Sequence, residues 1–145
     1  APTSLSDFRQ QATIIKQKSL SQAPYYILWN DEGIAQEFLT WLGAYGGVAL
    51  DRDGRPVFMQ EPGRKALQFM ISLSDGGLLS RDTAGDVHQA WKAITQGGCT
   101  FGACWLSDLD ALPSPYTITL LPVSREIYNL ERTFATSLSF TKDWG

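Results

Sequence analysis

The sequence has very few of the residues from which metal and redox sites are usually built. Among its 145 residues are one histidine, His88, and two cysteines, Cys99 and Cys104. A structural zinc site takes four ligands, and redox or zinc-ribbon motifs place their cysteines as Cys-x2-Cys. Here the spacing is Cys-x4-Cys, and no second pair of ligands follows. Histidine-rich metal sites are therefore excluded, and the sequence predicts no metal and no cofactor.

Long apolar runs and concentrated positive charge are missing as well. The longest apolar runs are only a few residues, far short of the roughly 20 that cross a bilayer. The net charge is −3, and the Lys and Arg residues are scattered along the chain, so a nucleic-acid or anionic-membrane partner is disfavoured. The N-terminal residues do not follow the pattern of an export signal, and a mature chain would lack one too.

Catalytic motifs are equally scarce. No Walker, dinucleotide or Gly-x-Ser-x-Gly motif occurs, and His88 is interpreted as a surface residue on the polar flank of a helix. Two carboxylate pairs, Asp31 with Glu32 and Asp108 with Asp110, could serve as the acid pair of a glycosidase. Such residues are more often solvated loop acids or helix N-caps. In loops they also bind sugar hydroxyls without any catalysis.

What the chain does have is enough apolar material for one domain, with 43% hydrophobic residues and five tryptophans. Helices are predicted at residues 4–18, 34–45, 62–75 and 86–96, strands at 24–30, 99–105 and 116–123, and a β-hairpin at 48–58 around "DRDG". Core positions expected in the helices include Trp41, Ala66, Leu67, Met70, Ile71 and Trp91. These patterns predict an α/β domain with helices packed on a small mixed sheet and an added hairpin.

The two cysteines lie in "GGCTFGACWLSDL", which has the composition of a strand despite Gly102. Five steps along a strand separate Cα atoms by about 16 Å, whereas a disulfide needs roughly 4.4–6.8 Å. A bridge between Cys99 and Cys104 would therefore require "TFGA" to turn. The favoured interpretation is that both are small residues on a strand that leads to Trp105.

The order of the segments resembles a known family. The segments are "PTSLSDF", an aromatic strand, a helix ending in "YGG", the hairpin "LDRDGRPVF", the helix "EPGRKALQFMISLSDGGLL", the helix "DVHQAWKAITQGG", a strand leading to Trp105, and a strand ending in "LLPVSRE". Over roughly residues 2–126 this order is similar to the C-terminal lobe of extracellular solute-binding proteins of the carbohydrate-uptake class. Those proteins are the maltose-binding and related oligosaccharide-binding receptors of ABC transporters.

Several residues depart from the family pattern. Ser4-Leu5 stands where Thr-Trp is usual, Trp91 where Phe is common, and Thr100-Phe101 where Ala-Met is common. The resemblance implies one lobe of a type II periplasmic-binding-protein fold over residues 1–145, with residues 126–145 returning toward the hinge. Nothing in the sequence resembles the N-terminal lobe, so the chain is expected to be an isolated lobe.

The resemblance also implies which residues meet the ligand. A sugar ring has an apolar C–H face and a rim of hydroxyls, so sugar sites combine aromatic rings with polar side chains. By position, Trp105 and the loop from Trp29 to Glu32 face the cleft between the lobes. We expect Trp105 to stack on a sugar ring, and the polar candidates are Asn30, Asp31, Glu32 and Asp108.

Such a receptor binds a sugar or oligosaccharide without catalysis, closes by hinge bending and presents the closed form to the permease subunits of the transporter. Its location would be periplasmic or extracellular, beside the membrane. The expected partners of this chain are the sugar, the missing N-terminal lobe and the permease, with self-association through the exposed lobe surface as a further expectation. Two alternatives remain open: a small carbohydrate-active enzyme and a stand-alone protein-interaction domain.

Overall fold

The computed structural model describes residues 2–80 and 89–102. The predicted strand at 116–123, the return segment at 126–145, His88 and Cys104 lie outside the described residues. In chain order the elements are α1 (Leu5–Gln17), β1 (Ala23–Tyr26), α2 (Asp31–Ala44), α3 (Glu61–Asp75), α4 (Gln89–Thr95) and β2 (Cys99–Gly102). The α/β character predicted from the sequence is confirmed for this part of the chain.

Helix α1 begins where its local sequence indicates. The Ser4 hydroxyl accepts a hydrogen bond of 3.1 Å from the Asp7 amide, and the Asp7 carboxylate accepts one of 2.8 Å from the Thr3 amide. These bonds satisfy amides that have no partner within the helix. The pKa of the Asp7 carboxyl lies below its usual value, first because of the hydrogen bond from the Thr3 amide and then because of the one from the Gln11 side chain. Phe8 and Ala12 are buried on the inner face.

The sheet is small, and its described pairs are parallel. Strand β1 pairs with β2 in the register Ala23 to Cys99 and Tyr25 to Phe101. On its other side, Tyr25 forms a parallel bridge with Leu79. Strand β1 therefore lies between the segment at Leu79 and β2.

The helices pack against the sheet in two hydrophobic clusters. In the main core, the Phe8 ring lies 5.5 Å from the Tyr25 ring and 5.9 Å from the Trp41 ring, between ring centroids. This main core also takes in α3, since the Trp41 and Phe69 rings lie 4.9 Å apart. In the second cluster, Ala93 and Ile94 of α4 pack against Ala23, Tyr26 and Cys99. Trp41 is 1% exposed, which confirms its predicted place in the core.

The inward face of α3 differs in part from the prediction. Ala66 and Met70 are buried as expected, whereas Leu67 and Ile71 are 51% and 49% exposed. Leu67 with Ile71 and Phe69 with Leu73 are each spaced one helical turn apart beside Ala66 and Met70. The apolar pattern alone therefore does not decide which of these two pairs faces the core. The structure buries Phe69 and Leu73 in their place.

The predicted hairpin at 48–58 is reduced to a single antiparallel bridge between Leu50 and Pro56. The reason lies in the turn, where Oδ1 of Asp51 accepts hydrogen bonds from the amides of Asp53 and Arg55 at 2.9 and 2.8 Å. These side-chain bonds take the place of a further rung of backbone pairing. Gly54 has a φ of 76°, which glycine adopts without steric cost.

Candidate functional site

The candidate site lies at the carboxyl edge of the parallel strands. From β1 the chain passes through α2 and α3 to the segment at Leu79 on one side of β1, and then through α4 to β2 on the other side. The first connection thus runs from β1 to one side, and the second crosses from the Leu79 segment to the opposite side of β1. In α/β sheets a crevice opens at the carboxyl ends of the strands where this happens, and ligands bind there.

Trp29 lies at this edge, three residues after the end of β1. Trp29 is half-buried and packs against the main core. Its indole N–H donates a hydrogen bond to the main-chain carbonyl of Ser80, at the end of the neighbouring extended segment. The Trp29 side chain is therefore held in place both by packing on the main core and by the hydrogen bond to Ser80.

Asn30 is exposed and caps helix α2. Its Oδ1 accepts a hydrogen bond of 2.7 Å from the Gly33 amide, and its backbone is extended, with a φ of −112°. Gly33 packs so closely that a Cβ there would lie 2.8 Å from the Leu28 Cβ. The turn from β1 into α2 is thus tight, and the first turn of the helix sits directly beside the strand end.

The sequence predicts a loop from Trp29 to Glu32 before a helix at 34–45, and the structure corrects this. Asp31 and Glu32 are the first two residues of α2, because the Asn30 side chain starts the helix there. Their side chains lie outside the part of the structure that is described. The backbone nevertheless puts both at the carboxyl edge, next to Trp29.

Strand β2 delivers the chain to the same edge. It ends at Gly102, which pairs with Tyr26 at the end of β1. Trp105 and Asp108 follow within six residues of Gly102 but lie outside the described residues, as does Asp110. Of the predicted site residues, the structure therefore brings Trp29, Asn30, Asp31 and Glu32 together, and it leaves the positions of Trp105 and Asp108 untested.

Two residues that support this part of the fold were missed from the sequence, Ser80 beside Trp29 and Glu37 in the core. Ser80 follows a short apolar run and carries no motif, and Glu37 lies in the middle of a helix. Glu37 is buried and accepts hydrogen bonds on Oε2 from the hydroxyl of Tyr25 and the indole N–H of Trp41. The role of Ser80 is revealed only by its contacts with residues distant in sequence, such as Ile27. The role of Glu37 depends on the burial of its carboxylate among aromatic residues.

Cys99 belongs to the sheet and not to the edge. It is a free, buried thiol in the second cluster, and burial raises its pKa. A thiol in this state is a poor nucleophile because the thiolate is the reactive form. The structure thus supports the interpretation of Cys99 as a small residue on a strand.

The described residues, 2–80 and 89–102, hold one further surface feature but no metal site. No group of three or more His, Cys, Asp or Glu residues that could hold a metal ion occurs among them. An open groove of about 690 Å3 lies on α1, with Arg9, Ile14, Tyr45 and Phe69 among its lining residues. Neither Trp29 nor Asn30, the two predicted site residues with described side chains, is among its lining residues. Within the described part of the chain, no helix is long and apolar enough to cross a membrane.

Comparisons with known proteins add no relative. No protein-family model matches the chain, and no curated protein matches it either.

Proposed function

We propose that this chain is a sugar-binding lobe of a carbohydrate-uptake receptor and carries one side of the ligand site at the carboxyl edge of its sheet. The observation that carries the proposal is the parallel arrangement in which β1 lies between the segment at Leu79 and β2. It supports the proposal because α/β sheets of this topology bind ligands beyond the carboxyl ends of their strands, and Trp29 and Asn30 follow that end of β1. The order of segments in the sequence points to the same edge.

The chemistry at this edge suits a sugar. Trp29 offers part of an indole ring, and Asn30 brings an amide beside it. Aromatic rings pack on the C–H face of a sugar, while amides and carboxylates bind its hydroxyls. In the proposed site Trp105 adds a second ring, and Asp31, Glu32 and Asp108 add carboxylates.

The affinity of the chain alone should be weak. In a two-lobed receptor the ligand is enclosed from both sides, and closure excludes water. One lobe supplies about half of these contacts, so we expect dissociation constants in the millimolar range, about −4 kcal/mol. The proposed full receptor would close over the sugar and present it to the permease.

Titration of the 15N-labelled 145-residue chain with maltose, trehalose and a methyl glucoside tests this proposal. We expect amide shifts at residues 28–33 and at the Trp105 indole, with saturation at millimolar sugar. Mannitol, which has hydroxyls but no ring, is the control ligand, and Met59→Ala is the control variant because Met59 is 74% exposed and outside the proposed site.

The outcomes separate the alternatives. Absence of shifts at residues 28–33 with every sugar would overturn the proposal. Micromolar binding by the 145-residue chain would overturn the idea of half a site. Turnover of a chromogenic glycoside that is lost in Asp31→Asn or Asp108→Asn would instead establish a carbohydrate-active enzyme.

A further inference from the structure

Ser80 extends the sheet with its side chain. Its amide donates a hydrogen bond of 2.9 Å to the Tyr25 carbonyl, as a strand residue would. At the next pairing position, Ile27, the Ser80 hydroxyl forms the hydrogen bonds that a strand backbone would form. Oγ accepts a bond of 2.9 Å from the Ile27 amide and donates one of 3.0 Å to the Ile27 carbonyl. One serine thus serves both backbone groups of Ile27, two residues before Trp29.

The main-chain carbonyl of the same serine accepts the indole N–H of Trp29. Trp29 is half-buried against the main core, so packing and this bond both restrict the ring. An indole has only one hydrogen-bond donor and no acceptor. Because that donor is directed at Ser80, Trp29 has no donor left for a ligand hydroxyl and can contribute only the surface of its ring.

Resting on the proposed function, we propose that Ser80 is a positioning residue of the sugar site. Its hydroxyl fixes the end of β1, and its carbonyl orients Trp29. The ligand is therefore recognised at this residue by its apolar C–H face, which packs on the indole ring, and not by a hydrogen bond from the indole N–H. Sugars whose rings present a continuous C–H face are the matching class.

Four variants test the two parts of this inference. Trp29→Phe keeps an aromatic ring and removes the N–H, whereas Trp29→Leu removes the ring. We expect the affinity for methyl glucoside to fall by no more than about threefold in Trp29→Phe and by about fivefold to tenfold in Trp29→Leu, the range of an aromatic contact. Ser80→Ala removes the two hydroxyl bonds, and Ser80→Thr retains a hydroxyl as the conservative control.

Hydrogen exchange at the Trp29 indole N–H gives a readout that does not depend on sugar. We expect exchange about tenfold faster in Ser80→Ala than in the wild type, with protection restored in Ser80→Thr. Urea unfolding and the exchange of amides in α1 show whether any change is confined to the edge. A uniform loss of protection across the chain would mean that Ser80 is merely structural and would overturn its positioning role.

The remaining results separate this inference from the proposed function. If the wild type binds no sugar, the proposed function and the inference both fail. If sugar binds but the indole exchange is unchanged in Ser80→Ala, only the positioning role fails. If Trp29→Phe loses as much affinity as Trp29→Leu while Ser80→Ala binds the sugar as tightly as the wild type, the N–H contacts the ligand and does not position the ring, and the inference is wrong. Equal losses in Trp29→Phe and Ser80→Ala would support the positioning role, because both variants weaken the contact between the indole and Ser80.

Discussion

The hydroxyl of Tyr25, in the central strand, donates a hydrogen bond of 2.8 Å to Oε2 of Glu37, in helix α2. Glu37 is only 7% exposed, and the indole N–H of Trp41 donates to the same oxygen at 3.1 Å. A carboxylate can be buried in a core only when such donors compensate its lost hydration. The contact fixes α2 against β1, and the two elements carry Asn30 and Trp29 to the same edge.

Replacing Glu37 by alanine should therefore destabilise the protein strongly. Two buried donors, on Tyr25 and Trp41, would lose their acceptor. At about 1–3 kcal/mol for each unsatisfied group, we expect the free energy of unfolding to fall by roughly 2–6 kcal/mol. Urea unfolding followed by circular dichroism measures this as a lower midpoint with an unchanged slope.

Two further variants are the controls for Glu37. Glu37→Gln retains one acceptor oxygen and should fall between the wild type and Glu37→Ala. Glu61 forms ion pairs with Arg64 and Lys65 on the surface, so Glu61→Ala should leave the urea midpoint close to that of the wild type. Equal midpoints for Glu37→Ala and Glu61→Ala would show that the buried carboxylate does not link strand and helix.

Gly63, in the first turn of α3, is predicted to tolerate no side chain. A Cβ built there would overlap the main-chain carbonyl oxygen of Phe58, and Gly63 is buried. Gly63→Ala should lower the free energy of unfolding by about 1–3 kcal/mol or more, as overpacking does. The matched control is Gly76→Ala, because its φ is −71° and the nearest atoms to a new Cβ are 3.2 Å away. A loss no larger at Gly63 than at Gly76, measured in urea, would contradict the close approach.

Local signals predicted the helices well and the sheet less well. Ser4 with Asp7 starts α1, and Pro62 marks the first turn of α3, because caps and prolines act within one turn of the chain. Sheet pairing depends on residues far apart in sequence, so the bridge between Tyr25 and Leu79 has no local signal. The hairpin is shorter than predicted because the Asp51 side chain accepts hydrogen bonds from the amides of Asp53 and Arg55.

Cys99 should react slowly with thiol reagents in the folded protein. Burial raises the pKa of its thiol, so the reactive thiolate is scarce at neutral pH. In a Cys104→Ser background, the rate of modification at pH 8 should rise at least about tenfold when the chain is unfolded in urea. Equal rates in the folded and unfolded protein would show that the thiol is accessible.

The same shift has a defined sign for stability. A pKa raised in the folded state means that folding favours the protonated thiol. This contribution is complete at pH values below the ordinary pKa of a cysteine and is lost as the pH rises through the raised pKa of Cys99. The Cys104→Ser protein should therefore lose stability on the alkaline side, and Cys99→Ala in that background should lose less.

The ligand-binding role of the candidate site stays a prediction. The order of segments pointed to Trp29 through Glu32, and the backbone places these four consecutive residues between β1 and the first turn of α2. The bond from Trp29 to Ser80 could not be read from the sequence, because it joins residues far apart in the chain, whereas Asn30 is a preferred N-cap residue and gives a local signal for the start of α2. Asn30 consequently has a structural role as the N-cap of α2 as well as a proposed role in ligand binding.

These two tasks of Asn30 can be separated by substitution. Asn30→Ala removes the acceptor for the Gly33 amide and should cost about 1 kcal/mol of stability, whereas Asn30→Ser keeps a good N-cap and should cost little. Both variants lack the side-chain amide proposed to bind a sugar hydroxyl. Each should therefore bind methyl glucoside roughly 2- to 10-fold more weakly than the wild type, the range of one hydrogen bond.

The Asn30→Ser variant is the decisive one, because its stability and its affinity should change independently. Urea unfolding close to that of the wild type, together with weaker sugar shifts at residues 28–33, would assign both roles to Asn30. Wild-type affinity in Asn30→Ser would remove the amide from the ligand contacts and leave Asn30 as a cap alone. Equal stability of Asn30→Ala and the wild type would contradict the cap, since helix α2 would then begin without help from the hydrogen bond to Gly33.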